Sequence, residues 1–128
     1  MKELENAGAF ATELEVVPHN LARFLSSQTK MLLMSLGSGP GCDTQFLFSD
    51  DILGDYDGRP PRHAKAYRRG GGVREKWGPV PLGRANFAAF REYIADVNEG
   101  RFPGRGHLVE MEAPLLDEVM SSIRGPRG

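Results

Sequence analysis

The chain has 128 residues, 40% of them apolar and 26% charged, which suits one small globular domain, or a piece of a larger one, and excludes a wholly disordered polypeptide. Its 16 Lys and Arg against 17 Asp and Glu leave a net charge of -1, so no whole-chain field recruits nucleic acid or a membrane surface. The single cysteine, Cys42, excludes an internal disulfide framework and fits a reducing, cytoplasmic compartment. No apolar run reaches the roughly 18 residues of a membrane span, and the acidic start of the chain lacks the apolar stretch of a signal peptide.

In chain order, Ala9 to Val17 predicts a strand, with Phe10, Leu14, Val16 and Val17 in a short apolar run that stops at Pro18. Pro18 suits the first turn of a helix, where its missing N–H is harmless. Leu21, Phe24 and Leu25 recur at helical spacing, so Pro18 to Ser27 predicts a short amphipathic helix. Lys30 to Leu36 is a second strand, ended by the glycine cluster Gly37 to Gly41, and Gln45 to Phe48 is a third, closed by Asp50 and Asp51. Connections too long for hairpins predict a parallel sheet. Asp55 to Pro61 reads as a turn and Pro61 to Arg69 as a short helix. Residues 70–83, with five glycines and two prolines, predict an irregular linker. Arg84 to Glu99 carries Phe87, Phe90, Ile94 and Val97 on one stripe, expected to face a core, with Gly100 placed to cap the helix. Pro114 to Ile123 predicts a last helix with Leu115, Val119 and Ile123 on one face.

Charge is uneven. Up to Asp57 there are nine acids against three bases, and from Arg59 to Lys76 seven bases against one acid, Glu75. With Tyr67 and Trp77 nearby, that basic segment could contact RNA. No nucleic-acid-binding motif accompanies it, so it reads as a solvated surface answering the acidic first part.

Glu15 stands out chemically. It lies near the C-terminal end of a predicted parallel strand, where such sheets place ligands. Partial desolvation there would raise its pKa and suit it to proton transfer; a strand-end glutamate facing solvent or paired with an arginine fits the pattern equally. Gly37 to Gly41 matches neither dinucleotide nor Walker pattern, and Pro40 removes a backbone donor, so it reads as a turn allowing close backbone approach. Asp43, Asp50 and Asp51 fit no EF-hand spacing and read as surface or capping residues. His19, His63 and His107 are scattered, make no zinc site with Cys42, and Cys42 reads as a packing residue. No metal ligands are assigned.

Several segments together resemble the ketopantoate hydroxymethyltransferase family. Ala7-Gly8-Ala9-Phe10-Ala11 followed by Leu14-Glu15-Val16-Val17-Pro18 is similar to its A-G-A-F-A…L-E-x-V-P stretch, and Gly37 to Gln45 to its G-x-G-x-x-C-D-x-Q. Asp51 to Gly54 resembles D-x-L-G, Pro61 to Tyr67 resembles P-x-x-x-K-x-Y/F, and Gly100 to Pro103 with His107 resembles G-x-F-P…H. Where the family continues from the fourth block into amphipathic helix, this chain has Gly70, Gly71 and Gly72.

The resemblance implies an α/β fold: the last three βα units of a TIM-type (β/α)8 barrel of the phosphoenolpyruvate-mutase kind, followed by C-terminal helices. A complete barrel needs 200 or more residues. The chain is then one partial domain, with a barrel-derived segment at 1–69, the linker at 70–83 and the helices at 84–128. The implied chemistry is transfer of a one-carbon unit from methylenetetrahydrofolate to C3 of a 2-oxo acid, 3-methyl-2-oxobutanoate, in pantothenate biosynthesis. A divalent metal, usually Mg2+, chelates the oxo acid and stabilises the enolate. The metal's ligands belong to earlier strands without counterpart here. Glu15 inherits the proton-transfer role. The chain alone is expected to be inactive, needing an upstream barrel half or a homo-oligomer, with no nucleic acid or membrane partner. The alternatives are a non-catalytic assembly or binding module derived from that barrel, and a small RNA-binding protein using Arg59 to Lys76.

Overall fold

A computed structural model describes residues 1–68 and 82–124. Three parallel strands, β1 (Ala11–Glu15), β2 (Leu32–Leu36) and β3 (Thr44–Gln45), lie in that order in one sheet. The expected parallel arrangement is present, with Ala11 opposite Leu32, Glu15 opposite Leu36 and Ser35 opposite Gln45. Around the sheet lie α1 (Lys2–Asn6), α2 (His19–Ser26), α3 (Ser49–Leu53), α4 (Leu82–Asn98), a 3-10 turn (Arg105–His107) and α5 (Ala113–Arg124). Among the described residues no helix is long and apolar enough to cross a membrane. The linker reading of 70–83 falls largely outside the described residues.

Alternation along the strands puts Thr12, Leu14, Leu33 and Ser35 on one face and Ala11, Glu13, Glu15, Leu32 and Met34 on the other. Leu33 and Ser35 are fully buried, whereas Leu32 is 46% exposed. The sheet is thus covered on one face, while the other is open at Leu32 and closes at its C-terminal end, where Leu36 is buried. Phe10, expected inside the first strand, precedes the paired ladder: its carbonyl accepts Leu32 N–H at 2.9 Å, but its ring is 87% exposed. β3 is also shorter than predicted. Phe46 N–H still donates to Ser35 O at 2.8 Å, but β2 ends at Leu36 and the chain turns away at Gly37, where φ is 69°. Beyond that point Phe46 to Phe48 have no ladder to join. Pro18 sits one step before the predicted position, at the cap of α2, and its carbonyl accepts Ala22 N–H at 2.9 Å.

The closed core lies to the C-terminal side of the sheet. Leu36, Leu47, Ile52, Tyr67, Ala89 and Phe102 are buried together, with Leu53, Tyr93 and Val97 against them. Tyr67, Tyr93 and Phe102 meet edge to face, with ring centroids 5.8, 5.9 and 6.5 Å apart, an arrangement favoured by the ring quadrupoles.

Two predicted faces and one predicted helix need correction. α4 turns Ala89, Tyr93, Asp96 and Val97 inward and leaves Phe87 (66%) and Ile94 (55%) exposed, with Phe90 at the margin. The small Ala89 allows close approach to the core, and the buried Asp96 carboxylate is paired with Lys65 and Arg101. Gly100 caps the helix as expected, with φ 70° and its N–H on Val97 O. In α5, Leu115 and Ile123 are exposed and only Leu116, Val119 and Met120 are half-buried; the helix packs chiefly against α2. Residues 61–68 form a turn and an extended stretch, not a helix. Ala64 N–H closes the turn on Pro61 O, and Tyr67 and Arg68 N–H both reach Ile52 O. Lys65 and Tyr67, two residues apart, can then reach the same side, which only an extended chain permits.

Candidate active site at the strand ends

The C-terminal ends of β1 and β2 bring together the first two blocks of the sequence. Glu15 closes β1, and the next residue, Val16, has φ 53°. A β-branched side chain in the left-handed region costs on the order of 1–3 kcal/mol and persists only where surrounding contacts impose it. They do so here: Val16 N–H donates to Leu36 O at 2.7 Å, Val17 N–H to Ser38 Oγ at 3.0 Å, and Ser38 Oγ to Leu14 O at 2.7 Å. Glu15 itself is exposed. The desolvation expected there is therefore absent among the described residues, since Glu15 ends an edge strand. Glu13, two residues earlier on the same face, has a buried Oε1 without a hydrogen-bond partner.

The glycine loop works through close approach. A Cβ on Gly37 would lie 2.8 Å from His63 Cβ, one on Gly41 would lie 2.7 Å from Arg23 Cβ, and one on Gly39 would collide with His19. The loop therefore presses against α2 and against the segment after Pro61. Sequence reasoning placed a turn here but not its neighbours.

The other candidates do not converge. Asp43 accepts Leu33 N–H at 2.8 Å and returns its own N–H to Leu33 O. Asp51 is buried and accepts Phe48 N–H at 2.9 Å, capping α3, while Asp50 is exposed; both fit the surface-or-cap reading. His19 donates its backbone N–H to Val109 O at 2.8 Å and lies 4.0 Å from the Glu110 carboxylate. His63 lies against Gly37, and His107 Nδ1 faces Gly104 N–H at 3.0 Å with its ring on Phe102. Cys42 is half-buried, and burial, with Asp43 beside it, pushes its thiol pKa up, consistent with packing and not nucleophilic duty. Among the described residues no three His, Cys, Asp or Glu side chains could hold a metal ion. The residues present thus do not fit the divalent cation implied by the resemblance.

A second polar centre escaped the sequence reading. Asp96, on the buried face of α4, binds Lys65 Nζ at 2.5 Å and Arg101 Nε at 2.7 Å. The Lys65 hydrogen bond, reinforced by Arg101 and opposed by burial, holds its carboxyl at about 2. Tyr67 lies beneath Lys65, 4.6 Å from ammonium to ring centroid, and burial followed by the Asp96 charge raises its hydroxyl pKa. The K-x-Y spacing in the fourth block carried this signal: the lysine closes on the acid and the tyrosine ring lies beneath the lysine. Arg68 pairs with Asp55, so two cations of the basic segment are engaged within the chain.

Comparison with known proteins gives a consistent result. The sequence model of the ketopantoate hydroxymethyltransferase family matches residues 1–105. The 3-methyl-2-oxobutanoate hydroxymethyltransferase of Enterococcus faecalis is 34% identical over 118 residues, covering 92% of this chain and 38% of that protein. Those of Clostridium novyi, 31% identical over 118 residues (92% and 38%), and Deinococcus radiodurans, 34% identical over 116 residues (91% and 37%), are similar in extent. The chain thus spans less than two-fifths of the length of these relatives.

Proposed function

The chain belongs to the ketopantoate hydroxymethyltransferase family, and on that premise we propose that it forms the later part of a (β/α)8 barrel. In this reading 1–69 supply the last three βα units, 70–83 a linker and 84–128 the flanking helices. Completed by an upstream half, it would transfer a one-carbon unit from methylenetetrahydrofolate to 3-methyl-2-oxobutanoate. The observation that carries the reading is Glu15, which ends a parallel strand beside a residue held at φ 53°. Glu15 would take the proton from C3 of the 2-oxo acid, next to its carbonyl, as that carbon bonds to the one-carbon unit. It would give the proton up to a folate nitrogen whose bond to that unit breaks, water supplying the hydroxyl. The divalent cation implied by the family would be held by the other half.

The open sheet face supports the need for a partner. β1 and β3 are edge strands, and Leu32 and Phe46 lie exposed, whereas barrel strands pair on both sides. The test is complementation: the full chain is co-expressed with the upstream portion of the Enterococcus faecalis relative and assayed for hydroxymethyl transfer. Turnover is expected from the pair and not from the chain alone, and Glu15→Gln should lower it by about 100-fold or more. A pair that assembles without turnover would leave the non-catalytic assembly module as the better reading.

A further inference from the structure

Resting on the reading of Glu15 as the proton-transfer group, we infer that Ser38 is a positioning residue for that carboxylate. The direction of a side chain from a strand is set by φ and ψ of its own residue, hence by the two peptide planes flanking its Cα. Both planes around Glu15 are tied. The Leu14 carbonyl, in the plane before it, accepts the Ser38 hydroxyl at 2.7 Å, and Val16 N–H, in the plane after it, donates to Leu36 O at 2.7 Å. Ser38 Oγ also accepts Val17 N–H at 3.0 Å, so one oxygen grips both ends of the Glu15–Val16 step. That grip holds Val16 in the left-handed conformation, and Val16 in turn carries the N–H that fixes the second plane.

The serine is itself built in. Ser38 and Ser35 are 0% exposed, and Ser38 N–H donates to Ser35 Oγ at 3.0 Å. The hydroxyl cannot turn to water, and its two bonds, one given and one accepted, use its donor and an acceptor site. A buried hydroxyl serving only a loop would not need to reach across to the neighbouring strand end. This one bridges 21 and 24 residues of sequence to the residues on either side of the Glu15–Val16 pair. Alanine at 38 leaves the Leu14 carbonyl and Val17 N–H without this partner, and Val16 is then free to relax to negative φ and swing Glu15 away.

The experiment has two readouts. On the full chain, the one-bond Cα–Hα coupling of Val16 reports the sign of its φ. In the complemented pair, kcat and KM report catalysis. Ser38→Ala should move Val16 out of the left-handed region and lower kcat by roughly 10- to 100-fold, the scale of an ångström-size misplacement, with KM changed less than about threefold. Adding Val16→Gly to Ser38→Ala should restore the left-handed turn and most of kcat, because glycine adopts that φ without strain. This double variant also serves if Ser38→Ala alone fails to fold. Val16 staying left-handed in Ser38→Ala overturns the inference, as does a folded double variant without recovered kcat. Intact kcat in Ser38→Ala, with Glu15→Gln impaired, overturns it while leaving the role of Glu15 standing. Intact turnover in Glu15→Gln removes both.

Discussion

The sheet and the aromatic cluster beside it solve the same problem to different degrees. Around Tyr67, Tyr93 and Phe102 the chain closes on itself: rings meet edge to face, and the buried Asp96 has two cations. At the sheet one face closes fully and the other only at its C-terminal end, where Leu36 is buried. Leu33 is fully buried while its neighbour Leu32 is 46% exposed, and Glu15 stands in the open. The difference teaches that the element ascribed to catalysis is the one this chain leaves unfinished, while the element that completes itself carries no candidate chemistry. Stability and proposed function are thus housed in separate places, and substitutions should separate them.

The largest effect should come from the closed region. Phe102→Ala removes a ring that touches Tyr67, Tyr93 and His107 and should cost about 3–5 kcal/mol, read from urea unfolding of the full chain. A loss below about 1 kcal/mol would mean that the cluster is not a core. Next, Leu33→Ala should cost about 2–5 kcal/mol, whereas Leu32→Ala in the isolated chain should cost less than about 1 kcal/mol. Supplying the complementing half should raise the cost of Leu32→Ala alone, and equal costs in the isolated chain would dissolve the contrast between the faces.

The effect at Asp96 is the most specific. Asp96→Asn replaces charge-assisted hydrogen bonds by neutral ones and should cost about 2 kcal/mol near neutrality. Because the folded-state pKa of Asp96 is lowered from 3.8 to about 2, its contribution is full above the unfolded value and fades as pH falls through that interval. Unfolding midpoints followed over that range should show this decline in the wild type and lose it in Asp96→Asn.

The sheet was legible because its signals are local. Short apolar runs, glycine breaks and connections too long for hairpins predict parallel strands, and the structure has them in that order. Glu15 was legible as a strand-end carboxylate for the same reason. The inward face of α4 was not. Hydrophobic periodicity favours Phe87, Phe90 and Ile94, but the helix is oriented by an acid whose partners, Lys65 and Arg101, lie 31 residues before it and five after. A pattern that scores apolar residues cannot see a buried ion pair. Residues 61–68 misled for a related reason, since Lys65 is held by Asp96 and Tyr67 by Ile52 O and the ring cluster, none of them local to the segment. Ser38 was invisible because its partners, Leu14 and Val17, belong to another strand end, and a serine in a glycine loop looks like any turn residue.

The link between α2 and the stretch before α5 has a consequence for how the chain is made. Asn20 Nδ2 donates to Met111 O at 2.8 Å and Asn20 Oδ1 accepts Met111 N–H at 3.1 Å, across 91 residues of sequence. Closing a loop of that length carries on the order of 4 kcal/mol of chain entropy, far more than two amide hydrogen bonds return. The strap therefore cannot nucleate folding; it forms once the intervening segments have already drawn its ends together. During synthesis Asn20 leaves the ribosome long before Met111 exists. Its side chain waits in water until Met111 has been made, so the joint forms late in assembly.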